Sequence, residues 1–290
     1  MSPTPRPLPA GFAAYKWTAT AQDVARRRGL DPAEVIRFDA NVPPLPGVPR
    51  IPLGESFGRL NEYPPGGYRE LHAAAAAYVG ADPAQIVLGA GSDSLIHTIA
   101  RTYLGAGRRT AIVDLPTYSL YAIAAQIEGA EVVGCSLEDA PEAAVIWICN
   151  PHNPIGNVYP REEIAALAGR RPEALVVIDE AYVEYGAETM VPFLAEAPNC
   201  VVMRTLSKAF GFAALRVGYA VCPAAVATEL RKRSEPAPMN PGWLPAGASV
   251  PTGMNTTPLR AAIWARSATR SFLGTNMISP STLALRAISK

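Results

Sequence analysis

From residue 68 onward the apolar positions switch repeatedly between two periods. "YRELHAAAAAYVG" (68–80) and "SDSLIHTIARTYLG" (92–105) space their apolar residues at helical intervals, and "QIVLGAG" (85–91) between them is a short continuous run. The runs "TAIVD", "EVVGC", "AVIWIC", "LVVIDEAY", "CVVMRT" and "RVGYAVC" then follow, with helical or turn segments between several of them. With "QIVLG" they predict seven strands. Most are β-branched and apolar on both faces, as in a mainly parallel sheet covered by helices on each side, so the predicted class is α/β.

Upstream of this region the pattern is different. "TATAQDVARRRGL" (18–30) offers hydroxyl caps and a short basic helix between the proline-rich stretches "MSPTPRPLPAGF" and "RFDANVPPLPGVPRIP". This part reads as a docking arm. Downstream, the segment from Met239 to Gly274 has little clean periodicity and is rich in Ser, Thr, Pro and Gly, and all 25 acidic residues precede position 236. It reads either as an irregular terminus or as a shortened or rearranged domain. The expected division is an arm over 1–40, a large domain over 41–235 and an atypical segment over 236–290.

Composition narrows the function classes. With 290 residues and 49% hydrophobic content, the chain can bury about three quarters of its unfolded surface without a disulfide or metal. A net charge of +1 gives no footprint for nucleic acid. Cys135, Cys149, Cys200 and Cys222 lie in apolar runs without metal-ligand spacing, so reduced buried thiols and no metal are expected. No segment approaches the roughly 18 apolar residues of a membrane span, so no membrane partner is expected and the cytoplasm is the expected location.

Four stretches carry candidate chemistry. "LGAGSDSLIHTIA" sets Gly89, Gly91, Ser92 and Asp93 between a strand and a helix, where free backbone N–H groups can hold a phosphate. A dinucleotide fingerprint would want glycine at Ser94 and an acid ending the next strand, which Asp114 supplies, so dinucleotide site, other phosphate site and plain helix cap all remain open. "ICNPHNPIGN" is either a simple turn or a rigid platform for the Asn153 amide. "LVVIDEAYVEY" ends a strand in Asp179 and Glu180, with Tyr182 nearby, where α/β proteins place ligands. A metal-binding strand is the rival, but no GxxxxGK[ST] loop occurs. "VVMRTLSKAFGF" carries Lys208 in an apolar setting: either a surface lysine laying down its stem, or an amine made nucleophilic by desolvation and suited to Schiff-base chemistry.

Taken together, "NEYPPGGYRELHAAAA", "LGAGSDSLIHTIA", "DLPTYSLY", "CNPHNPIGN", "VVIDEAYVEY" and "RTLSKAFGFAALRVGYA" resemble the class I/II pyridoxal-phosphate aminotransferases, nearest the histidinol-phosphate branch. The likeness runs from about Asp39 to Cys222 in the family's order. It implies fold type I: a seven-stranded, mostly parallel sheet with a small domain from the two chain ends. It also implies that Lys208 holds pyridoxal 5'-phosphate covalently and moves the substrate's α-proton, and that Asp179 keeps the pyridine nitrogen protonated. By the same resemblance, Tyr118 stacks on the ring, and Asn153 and Tyr182 face its 3-oxygen. Ser92, Asp93, Thr205, Ser207 and Arg216 surround the phosphate, and Tyr63 reaches the phosphate of a neighbouring subunit, implying a homodimer. Asn41 matches an active-site loop.

The implied reaction is ping-pong transfer of an amino group from L-histidinol phosphate to 2-oxoglutarate. An aromatic aminotransferase, a threonine-phosphate decarboxylase and a catalytically impaired cofactor binder remain as alternatives, and a nicotinamide dehydrogenase is disfavoured by Ser94 and Lys208. The C-terminal segment departs from the family pattern. Only "RSFLGT", with Arg270, echoes the arginine that grips a substrate carboxylate, and the departure suggests an altered reading frame or gene end.

Overall fold

A computed structural model describes residues 7–42 and 66–236. Its first regular element is α1 (Ala21–Arg28). Thr20 accepts a hydrogen bond from the Asp23 N–H at its side-chain oxygen, Asp23 accepts one from the Thr20 N–H, and Gly29 closes the helix in the left-handed region at φ 67°. This is the capped basic helix read from "TATAQDVARRRGL".

All seven predicted strands form. They are β1 (Ile86–Ala90), β2 (Arg109–Val113), β3 (Glu131–Cys135), β4 (Val145–Cys149), β5 (Leu175–Asp179), β6 (Cys200–Thr205) and β7 (Val217–Val221). The helices among and around them are α2 (Arg69–Val79), α3 (Gly91–Tyr103), α4 (Leu120–Ile127), α5 (Arg161–Arg170) and α6 (Ala224–Arg231). One sheet results, in the order β1-β7-β6-β5-β4-β2-β3. β7 runs antiparallel to both its neighbours, and every other pairing is parallel.

The connections explain these directions. α4 carries the chain from β2 to β3, and α5 carries it from β4 to β5, as parallel neighbours require. Only the compact segment 206–216 links β6 to β7, so β7 returns in the opposite sense. The C-terminal ends of six strands and the start of β7 therefore share one edge. Alternate residues of the strands feed two apolar clusters, one on each face: Val176, Ile178 and Val202 on one, Val177, Val201 and Met203 on the other. Burial on both faces is why these strands read as continuous apolar runs.

Behind the shared edge lies a buried ionic group. The Arg204 guanidinium donates to Glu180 at 2.8 Å and to Glu184 at 2.9 Å, with all three side chains under a tenth exposed. Burial raises the pKa of both glutamates against the pull of Arg204. The backbone N–H of Met190 and the Thr189 hydroxyl supply further donors to Glu180. Charges this deep need such partners, and here they tie the ends of β5 and β6 together.

Among the described residues no helix is long and apolar enough to cross a membrane. Cys149, Cys200 and Cys222 are buried free thiols, as their apolar runs imply, whereas Cys135, on the edge strand β3, is only half-buried.

Candidate active site

The shared strand edge gathers the candidate residues at two ends of one site. At the first end, β1 turns directly into α3. Gly91 sits at φ 75°, and a Cβ there would come within 2.6 Å of the Arg216 guanidinium. From β7, Gly218 packs so closely on this turn that a Cβ would lie 2.5 Å from the Gly91 carbonyl carbon. Two glycines thus let β7, the first turn of α3 and Arg216 converge. Arg216, itself at φ 52°, donates to the Asp93 carboxylate at 3.0 Å and the Ala90 carbonyl at 3.1 Å. Thr205 and Ser207 place hydroxyls 3.0 Å apart at the end of β6. A helix start, a guanidinium and paired hydroxyls form a set of donors suited to an anion.

The second end is built around Asp179 at the end of β5, only 4% exposed. One carboxylate oxygen accepts the Tyr121 hydroxyl at 2.6 Å and the other the Ala181 N–H at 3.0 Å. Lys208, half-buried in the β6–β7 connection, donates to the Ala40 carbonyl at 2.9 Å, and its amine stands 5.6 Å from the centre of the Tyr182 ring. Asn41 donates to the Asn153 side-chain oxygen at 3.3 Å and to the Tyr182 hydroxyl oxygen at 3.2 Å. Tyr118 links the two ends, since its hydroxyl donates to Asp93 at 2.8 Å.

The turn that presents Asn153 is held from several sides. The Asn150 side chain pairs with the Tyr159 backbone at 2.8 and 3.1 Å, and the Tyr159 hydroxyl donates to Asp114 at 2.6 Å. His152 Nε2 lies 2.8 Å from the Asp114 carbonyl oxygen, and Thr117 donates to the Asn153 carbonyl at 3.0 Å. His152 and Asp114 are thereby used in building this turn.

Residues 33–250 match the family model described as aminotransferase class I and II. The chain belongs to that family. Histidinol-phosphate aminotransferases from Brevibacillus brevis and Halalkalibacterium halodurans are similar to it, at 34% identity over 233 residues and 35% over 235. Each match takes in 74% of this chain and 63% of the relative, so the chain spans under two thirds of the length of these relatives. Among solved structures, the histidinol-phosphate aminotransferase of Sinorhizobium meliloti, in complex with pyridoxal-5'-phosphate, is 25% identical with a TM-score of 0.66, covering 91% of this chain and 73% of that one. The L-threonine-O-3-phosphate decarboxylase of Porphyromonas gingivalis is also 25% identical, with a TM-score of 0.60 over 66% of this chain and 63% of that one. These neighbours share the fold type I architecture of the seven-stranded sheet described above.

Burial governs the electrostatics of this site. It raises Asp179 to about 6, with the Tyr121 and Ala181 hydrogen bonds and the Lys208 charge pulling the other way and Asp93 adding to the rise. Burial also lowers Lys208, opposed by Asp179 and Asp93 and aided by Arg216. It pushes the Tyr182 hydroxyl up to about 12. A lysine amine that burial makes easier to deprotonate and a carboxylate that burial makes harder to ionise therefore face the same space.

Of the residues expected from the sequence, Lys208, Asp179, Asn153, Tyr182, Asn41, Tyr118, Ser92, Asp93, Thr205, Ser207 and Arg216 all lie at this edge. The Asp93 carboxylate is turned to Arg216 and Tyr118. Tyr63 and Arg270, and the segment 237–290, lie outside the described residues. Tyr121 was not among the expected residues. Its signal was present in "PTYSLY", where Tyr118 and Tyr121 stand three apart at a helix start.

Proposed function

We propose that this chain binds pyridoxal 5'-phosphate and, as a homodimer in the cytoplasm, exchanges the amino group of L-histidinol phosphate with 2-oxoglutarate. The observation that carries the reading is the pairing of the two ends. A buried carboxylate raised to about 6, held by neutral donors, matches a pyridine N–H. The helix start, Arg216, Thr205 and Ser207 match a phosphate, with Lys208 on the connection between them. Histidinol phosphate as the amino donor is supported by the two histidinol-phosphate aminotransferases that are 34–35% identical, and 2-oxoglutarate rests on the family resemblance alone.

When bound, pyridoxal phosphate supplies an electron-withdrawing ring that stabilises charge developing at the substrate carbon. Asp179 would keep the ring nitrogen protonated. Lys208, its pKa lowered by burial, would hold the cofactor covalently and, once displaced, carry a proton to and from the substrate carbon. Tyr118 would cover the ring face, and Asn153 and Tyr182 would bind the 3-oxygen in place of the Asn41 contacts seen here. Ser92, Asp93, Thr205, Ser207 and Arg216 would enclose the phosphate, Asp93 through its backbone N–H and by holding Arg216.

Tyr63, acting on a partner subunit's phosphate, and Arg270, on the substrate carboxylate, complete the proposal, with Asn41 at the substrate side. The division into an arm over 1–40, a cofactor domain over 41–235 and a segment over 236–290 is part of the same reading. Dimer formation is supported by Trp17, Ile36 and Phe38, which are 90%, 77% and 73% exposed on the arm.

The test adds pyridoxal phosphate to purified protein and follows the absorbance of the bound cofactor, then adds L-histidinol phosphate with 2-oxoglutarate and assays glutamate. Lys208→Ala abolishes the absorbance change if the reading holds, and a wild-type protein without one refutes it. Bound cofactor without glutamate refutes the substrate pair. Release of carbon dioxide from threonine phosphate would favour the reaction of the Porphyromonas gingivalis neighbour.

A further inference from the structure

Tyr121 is wholly buried, yet its hydroxyl meets the carboxylate on which the proposed site turns, at 2.6 Å. Two aromatic contacts hold its ring. It stacks on Trp147, with ring centroids 5.1 Å apart and planes 9° from parallel. It also meets the Tyr118 ring in an edge arrangement, at 5.7 Å and 82°. Trp147 is anchored in turn: its indole N–H donates to the Thr110 hydroxyl at 2.9 Å, which donates to the Val145 carbonyl at 2.9 Å. A continuous set of contacts therefore runs from the backbone of β4 to Asp179.

We infer that Tyr121 is a positioning residue that orients the Asp179 carboxylate and supports the Tyr118 ring, so that both meet a pyridine ring correctly placed. The inference rests on the proposed cofactor. The physical argument has two parts. A carboxylate at the end of a strand can rotate about its terminal torsion, and the Ala181 N–H fixes only one of its oxygens. The Tyr121 hydroxyl fixes the other, and the stacked ring removes the freedom that would let the hydroxyl follow the carboxylate. The groups that face Asp179 electrostatically are Tyr121, Tyr118, Cys149, Asp93, Lys208 and Tyr182, and among them Tyr121 and the Lys208 charge favour its ionised form.

The experiment is a double-mutant cycle on full-length protein loaded with pyridoxal phosphate, reading cofactor affinity and the pH titration of the bound-cofactor absorbance. Tyr121→Phe keeps the stack and removes one hydrogen bond to a charged group, so affinity falls about tenfold. Its titration moves toward that of Asp179→Asn. In the Asp179→Asn background, Tyr121→Phe has no further effect on either readout. An equal loss in both backgrounds, or an unmoved titration, overturns the inference and leaves a merely structural tyrosine.

Should Tyr121→Phe fail to fold, 3-fluorotyrosine at position 121 retains the ring and strengthens the donor. It shifts the titration away from that of Asp179→Asn, and no shift overturns the inference. A wild type without bound-cofactor absorbance refutes the cofactor itself, whereas a normal wild type with uncoupled variants refutes only the role of Tyr121.

Discussion

Asp179 is the residue at which stability and binding are set against each other. Its pKa of about 6 in the folded chain exceeds the ordinary value of 3.8, so the folded state holds the extra proton as pH rises between these values. Stability from this group is therefore greatest at low pH and falls as the pH climbs through 4 to 6, by about 3 kcal/mol. Without cofactor, Asp179→Asn should be more stable than wild type at pH 7.5 by about that amount, and the advantage should vanish near pH 4. Chemical denaturation across this range checks the sign, and a difference independent of pH would contradict it. Lys208, Asp179 and Asn153 were legible because each lies in a short stretch with a recognisable neighbourhood. Tyr121 was legible only as the second tyrosine of "PTYSLY", because the carboxylate that its hydroxyl meets is 58 residues away.

The strands were legible as elements because burial on both faces leaves uninterrupted apolar runs, and the run "CVVMRT" coincides with β6. α4 was not singled out, since "LYAIAAQI" lacks a polar face to give it a period: Leu120, Tyr121, Ile123, Ala124 and Ala125 are all buried. The close approach of β7 to α3 was equally hidden, because nothing local to Gly218 names the turn at Gly91 as its neighbour. Gly218→Ala would drive a methyl into that turn, where the 2.5 Å neighbour is backbone and cannot swing aside. It should cost about 1–3 kcal/mol and weaken cofactor binding as Arg216 is displaced. Thermal melts with and without pyridoxal phosphate measure both effects. Arg204→Met should cost about 3 kcal/mol or more, since it strands Glu180 and Glu184 without their cation, and Glu180→Gln combined with it should recover part of the loss.

At the scale of the molecule, alternating patterns foretold the sheet but not what crosses its edge. The Lys208 amine meets the Ala40 carbonyl at the end of the arm across 168 residues of sequence, and Asn41, the next residue, bridges Asn153 and Tyr182. No periodicity encodes such a contact, because the arm is polar and proline-rich and its placement depends on the finished site. The exposed apolar residues of that arm give a testable consequence for assembly. Sedimentation should show a dimer, and Ile36→Glu with Phe38→Glu should shift it toward monomer. The central claim, that Lys208 holds pyridoxal phosphate, has a more direct test. The protein is loaded with pyridoxal phosphate, reduced with borohydride to fix any covalent adduct, digested and mapped by mass spectrometry. A phosphopyridoxyl group on Lys208, absent after cofactor-free reduction, is the predicted result; an unmodified Lys208, or a label confined to surface lysines, would contradict the account.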